Sequence, residues 1–158
     1  MITSSPLLRR ALVAVAIGML TVGAVACQPA PPSRSSASAS SEAGQMVTLI
    51  NNYRAAHGLP RLAQASDATA KAQQHSNEMA ASASLYHSSS LSSGISSGWR
   101  AIGENVGVGS TVSQLESMFE ASSVHRANML NGAYNQIGVG AARGSDGRLY
   151  ITEVFVGR

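Results

Sequence analysis

The chain has 158 residues, room for one domain and little more, which excludes a large two-domain enzyme. With 12% charged and 4% aromatic residues, any core must be built from small side chains packed closely. The pI near 9.5 says little about partners. Arg9 and Arg10 precede an uncharged run from Ala11 to Ala26, and the nine basic residues beyond it face eight acids. They are scattered singly, with no run able to follow a phosphate backbone, so no nucleic-acid partner is expected.

Arg9 and Arg10, the apolar stretch LVAVAIGML and the small residues Gly23, Ala24, Val25 and Ala26 follow the three-part plan of a secretory signal peptide over residues 1–26. The uncharged stretch is short for a spanning helix, which needs roughly 20 apolar residues, and a retained anchor is the alternative. Cys27, the only cysteine, follows at once, and AVAC resembles the lipobox of bacterial lipoproteins. That resemblance implies acylation of Cys27 and a tether to the membrane. Ala24 stands where Leu is usual, which leaves ordinary cleavage with a free thiol as the other reading. The paired arginines also resemble a twin-arginine signal, although Leu8 replaces the usual Ser or Thr. A single cysteine cannot form an intramolecular disulfide, so the exported domain must be held by packing.

Residues 28–44, with three prolines and six serines, read as a flexible linker behind Cys27. The folded domain is expected over residues 45–158. Met46, Leu49, Ile50, Tyr53 and Ala56 recur at helical spacing until Gly58 and Pro60 stop them. A second helix starts near Ser66 and Asp67 and runs through Ala68, Ala72, His75 and Met79 to about Ala83, with a stripe of alanine that demands a close neighbour. Residues 82–98, rich in Ser and Gly, suit an extended loop. Thr111 and Gln114 have capping-box spacing ahead of a third helix through Val112, Leu115 and Phe119 that should end near Ser123. The C-terminus then turns to period two: Ile137, Val139 and Ala141, then Leu149, Ile151, Glu153 and Phe155, joined by GSDG as a hairpin connection. Helices first and a terminal hairpin last give an α+β fold with an antiparallel sheet.

Four histidines carry the polar chemistry. His57, before Gly58, suits a helix C-terminus. His75 and Glu78 lie one turn apart, close enough to share a metal, but a lone pair of this kind is common by chance and reads as a solvated face. His87 in YHS and His125 in VHRANML stand at element edges, where side chains can enter a cleft, with core or capping roles as the alternative. Glu104 in GENVG can hold an imidazole or a metal, or be a turn residue. GISSG, with Ser96, matches a nucleophile elbow in letters but lacks the strand before it and the helix after it. GENVGVGST has no Lys for a phosphate loop and reads as a turn, so no organic cofactor is expected.

Taken in order, NNYRAAHGLPRL, HSNEMA, YHS, GENVGVG, SSVHRANML, YNQIGVG and YITEVFVG resemble a CAP domain, the superfamily of cysteine-rich secretory proteins, antigen 5 and pathogenesis-related proteins of group 1. The resemblance spans residues 45–158 and implies an α-β-α sandwich around a central antiparallel sheet. The family's cleft gathers two His and two Glu, and His87, Glu104 and His125 match three of them as expected ligands for zinc or another divalent metal. The second Glu is missing, since residues 88–103 hold no acid. Phe119 replaces a common Trp, and Glu153 stands where related bacterial domains often have Gln. Alternation places Glu153 inside, where it either supplies the fourth cleft acid or meets a hydrogen-bond partner elsewhere in the sheet. The expected function is a non-enzymatic binding module at the cell surface, taking a metal and a lipid, sterol-like or other hydrophobic ligand. A metal-dependent hydrolase and an adhesion protein with a vestigial cleft are the alternatives. No residue names a protein partner, and a secreted or periplasmic location is the alternative to anchoring.

Overall fold

The computed structural model describes Met1 and residues 34–158, with the side chains of the first helix from Ala39 onward. The signal-peptide segment, Cys27 and residues 28–33 lie outside the described residues. In chain order the elements are α1 (Arg34–Ala56), β1 (Ala63–Gln64), α2 (Ser66–Ser82), β2 (Ala101–Gly109), α3 (Val112–Ala121), α4 (Ser123–Met129), β3 (Gln136–Arg143) and β4 (Leu149–Gly157). No helix among the described residues is long and apolar enough to cross a membrane.

The sheet has the order β1-β3-β4-β2. β3 and β4 form the expected hairpin, β2 pairs antiparallel with β4, and the two residues of β1 add a parallel edge to β3. Every residue of β4 is buried, because helices cover both faces. Leu149, Ile151 and Phe155 pack with Met46, Ile50, Leu115, Phe119 and Met129 beneath α1, α3 and α4. Tyr150, Val154 and Val156 face α2 through Ala68, Ala72 and Met79. The result is the α-β-α sandwich.

Glycine sets the thickness of both layers. A Cβ on Gly138 would stand 2.1 Å from the main chain of Ala68, and one on Gly140 2.3 Å from that of Ala72. The alanine stripe of α2 therefore rests on bare strand backbone, which answers the demand for a close neighbour. On the other face a Cβ on Gly107 would meet the Phe119 ring at 2.7 Å, and one on Gly103 would meet the Tyr134 hydroxyl.

These contacts explain why GENVGVG is a strand rather than a turn. Its glycines weaken strand propensity in isolation, but here they admit side chains from α3 and from the segment before β3. Three further boundaries differ from the sequence reading. α1 begins at Arg34, inside the stretch read as linker, because the three prolines end at Pro32 and the Ser/Ala run beyond them is compatible with helix. Arg143 of β3 ties that extension down by an ion pair with Glu42 at 2.5 Å. The third helical pattern splits at Ser122, which ends α3 in extended backbone and caps α4, so HRANM rides on its own short helix. Ala65 rather than Ser66 caps α2, while Asp67 in the first turn accepts from Ala68 N and Ser96 N and pairs with Arg158. Those bonds, led by the one from Ser96, hold the Asp67 carboxyl well below its usual range.

Two expected caps are present. Thr111 Oγ1 accepts from Gln114 N at 3.2 Å, and Gln114 Oε1 reaches back to Ser110 N at 2.8 Å. His57 Nδ1 meets Tyr53 O at 2.8 Å at the end of α1, where Gly58 has φ +74°. Beside it, the buried Arg54 guanidinium donates to the carbonyls of Pro60 (3.0 Å), Met129 (2.7 Å), Asn131 (3.1 Å) and Tyr134 (3.3 Å). It welds α1 to the segment between α4 and β3, and the planar fork is what allows four acceptors.

Gly138→Ala and Gly140→Ala should each lower unfolding free energy by roughly 1–3 kcal/mol or more, because main chain cannot yield to a new methyl. Gly44→Ala, within α1 and with nothing inside 4 Å, should raise it by roughly 0.5–1 kcal/mol. Arg54→Lys should cost at least about 2 kcal/mol, since an ammonium cannot serve all four carbonyls. Urea denaturation followed by circular dichroism measures all four. Wild-type stability in Arg54→Lys would show that the carbonyls find other donors.

Candidate functional site

β2 projects Glu104 toward the α2 face, opposite Val154 in the register. The loop after α2 brings His87 and Ser88 to it. Glu104 Oε1 accepts from His87 Nδ1 at 2.8 Å and from Ser88 N at 2.9 Å, while Oε2 accepts from Ser88 Oγ. The Glu104 side chain is 4% exposed and that of His87 is 63% exposed. A buried carboxylate with three donors is thus satisfied inside the protein. It fixes the His87 ring through Nδ1, in a side chain that is otherwise largely exposed, the arrangement in which a carboxylate orients a metal-binding imidazole.

His125 comes from the first turn of α4. Its ring meets Phe119 edge-on, with centroids 5.0 Å apart. Burial, and then the charge of His87, lower its pKa below the usual 6.5. Burial thus favours the neutral form of the His125 imidazole. Phe119, which replaces the common Trp, supplies the aromatic wall.

Glu153 behaves differently. It is fully buried on the other face of the sheet, paired in register with Asn105 rather than Glu104. Its Oε2 accepts from Asn105 Nδ2 at 2.9 Å; the same amide reaches the His125 carbonyl at 3.2 Å, and Asn105 Oδ1 accepts from Asn128 Nδ2 at 2.9 Å. Asn128 also donates to Glu104 O at 3.1 Å. Glu153 thus reaches the main chain of His125 and Glu104 through two amides, and among the described residues its hydrogen-bond partner is Asn105 rather than an imidazole. Among the described residues no three His, Cys, Asp or Glu side chains converge on one point where a metal could sit. Of the expected ligands His87, Glu104 and His125, the acid is bonded to His87, and the three do not converge on one point.

The remaining histidine supports this site from behind. His75, read with Glu78 as a solvated pair, is buried, and its Nε2 bonds Tyr86 O at 2.8 Å while Nδ1 lies 3.4 Å from Glu78. A carbonyl only accepts, so Nε2 carries the hydrogen. That bond, with Tyr86 edge-on to the ring, pins the residue before His87. Ser96 of GISSG lies in the loop with its N–H on Asp67. Ser88, Asn105 and Asn128 were not singled out in the sequence, although Asn105 and Asn128 are signalled by their positions beside Glu104 and one turn after His125.

The described fold matches solved structures. One is an extracellular protein containing an SCP domain from Bacillus anthracis, at 25% identity and TM-score 0.70, covering 83% of this chain and 45% of that one. This chain therefore spans less than half of that protein's length. An outer surface protein from Borrelia burgdorferi superposes with TM-score 0.69 at 13% identity over 75% of this chain and 93% of that one. NaASP2, solved with Zn2+, gives TM-score 0.59 at 13% identity over 78% and 82%. No curated protein matches the chain at a significant level. The family model described as CAP, cysteine-rich secretory protein family, matches residues 47–157. With that match over most of the chain, and with the fold of its structural neighbours, the protein belongs to the CAP family.

Proposed function

We propose that this CAP domain is an exported binding module, tethered at the cell surface through Cys27, whose cleft takes a divalent metal on His87 Nε2 and His125. The observation that carries this reading is the bonding of Glu104: both of its oxygens hold His87 and Ser88 in place, so it acts as orienter and the imidazoles act as ligands. Neutral imidazoles suit zinc and similar ions, which would complete their coordination with water. The structural neighbour solved with Zn2+ and the outer surface protein of the same fold support the two halves of the proposal. Binding is the reading favoured over hydrolysis, because both oxygens of Glu104, the carboxylate bonded to His87, are already engaged in positioning His87 and Ser88.

Exposed apolar side chains that adjoin both histidines in sequence support a second ligand chemistry. Leu85 and Tyr86 precede His87, and Val124, 72% exposed, precedes His125. They favour a lipid or other hydrophobic small molecule over a polar one.

Calorimetric titration of Zn2+ into the chelator-treated full chain should show one saturable site. His87→Ala and His125→Ala should each abolish it, and Glu104→Gln should weaken it by roughly 10- to 100-fold. Affinity should fall as the pH is lowered and the imidazoles take up protons, with His125 resisting to lower pH than an unperturbed histidine. Absence of saturable binding, or binding untouched by both alanine variants, would refute the metal site. For the apolar rim, Tyr86→Ser and Val124→Ser should reduce uptake of a fluorescent fatty acid; equal uptake by both variants and the parent would remove the lipid reading.

A further inference from the structure

β2 is an edge strand, and its pleat sends consecutive side chains to opposite layers. Two of them meet the two candidate ligands. Glu104, opposite Val154 in the register, faces the α2 layer and bonds the ring of His87. Asn105, opposite Glu153, faces the layer of α3 and α4 and bonds the carbonyl of His125.

We propose that Asn105 is the positioning residue of His125, as Glu104 is of His87, and that Glu153 keys it by fixing which way its amide points. This role rests on the reading of both histidines as metal ligands. It makes the single step from Glu104 to Asn105 the element that sets one imidazole against the other.

The direction of each bond in the network is fixed by chemistry. The carbonyls of His125 and Glu104 only accept, so the nitrogen of each amide faces them. Asn105 Nδ2 gives its two hydrogens to His125 O at 3.2 Å and Glu153 Oε2 at 2.9 Å. Asn128 Nδ2 gives its two to Glu104 O at 3.1 Å and Asn105 Oδ1 at 2.9 Å. Turning the Asn105 amide over would set its oxygen against the His125 carbonyl and bring two amide nitrogens together. Asn105 and Glu153 are both 0% exposed, so bulk water is not at hand to replace a lost partner. Gly103 leaves room for the approach, since a Cβ there would stand 3.0 Å from Asn128 Oδ1.

His125 needs such a hold because α4 has seven residues, and a helix that short keeps its place through outside contacts rather than its own ladder. Asn105 ties the carbonyl of the ligand residue itself. Asn128, one turn on, ties the same helix to the main chain of Glu104. His87 and His125 are thereby referred to one stretch of strand from its two sides.

The test reads histidine ring protons of the full chain by NMR with chelator present, and zinc binding by calorimetry after its removal. In wild type the His125 ring, edge-on to Phe119, should show shifts displaced by the ring current. Asn105→Leu removes donor and acceptor at similar volume. It should return the His125 shifts toward those of free histidine while His57 and His75 keep theirs, and weaken zinc binding by roughly 10-fold or more. Glu153→Leu removes a carboxyl oxygen that has no partner, so it should keep the fold while leaving Asn105 without its key. The His125 shifts should move in the same direction there, and Glu153→Gln, whose amide oxygen accepts as Oε2 does, should leave them as in wild type. The proposal is overturned if the His125 shifts stay in place in either leucine variant, or if those of His57 and His75 move equally with them. It is also overturned if Glu153→Gln behaves as Glu153→Leu, or if Asn105→Leu binds zinc as tightly as wild type. The shifts are read without metal, so a wild type that binds no zinc refutes the metal site while Asn105 is still tested. The Glu153 variants decide the matter even if Asn105→Leu fails to fold.

Discussion

The architecture depends on backbone-to-backbone proximity between β3 and α2. A chain poor in aromatics can close a core only if its layers approach more nearly than side chains ordinarily allow, and Gly138 and Gly140 make that approach against Ala68 and Ala72. Because α2 sits so close, His75 near its middle reaches the Tyr86 carbonyl and fixes the segment that delivers His87. On the other face, Gly103 and Gly107 draw the Tyr134 and Phe119 side chains onto β2, and Phe119 in turn backs His125. The two imidazoles of the cleft are therefore placed by glycines that never touch them.

The pleat of the sheet then separates the acids. Glu104 and Asn105 are consecutive, so they emerge on opposite faces. The same rule places Glu153, cross-strand from Asn105, away from the side that holds His87. What joins the faces is a pair of amides: Asn105 and Asn128 each bond to main chain of a cleft residue, and Asn105 bonds to Glu153 as well. An amide is suited to this because it donates and accepts at once.

Arg54 and the interior acids Glu116 and Glu153 show two ways of burying an ionisable group in this protein. Arg54 has no counter-charge among its hydrogen-bond partners, yet its guanidinium meets four carbonyls and is satisfied. The carboxyls have no such complement, apart from the single bond from Asn105. The guanidinium cannot give up its charge under ordinary conditions, whereas a carboxylic acid can do so by taking a proton. Interior carboxyls thus respond to pH in a way that the arginine does not.

Local pattern was enough for the hairpin of β3 and β4, for the body of α1, α2 and α3, for the Thr111 cap, and, through ordered motifs, for the CAP resemblance with His87, Glu104 and His125. Each rests on a period of 2 or 3.6 residues, or on neighbours within one turn, and such information is carried in the chain itself. Tertiary structure alone decided that glycine-rich GENVGVG is a strand, that two residues at Ala63 and Gln64 pair with β3, and that α1 extends to Arg34, because each depends on a partner far away in sequence. It also decided the role of the acids. Alternation showed that Glu153 is interior, and the stripe of α3 passes through Glu116 four residues after Val112, but neither pattern says which face or which partner. Whether a buried carboxyl meets an imidazole, as Glu104 does, or an amide, as Glu153 does, is set by the register of β2 on β4 and the seating of the helices. Those are long-range contacts that no short stretch of sequence contains.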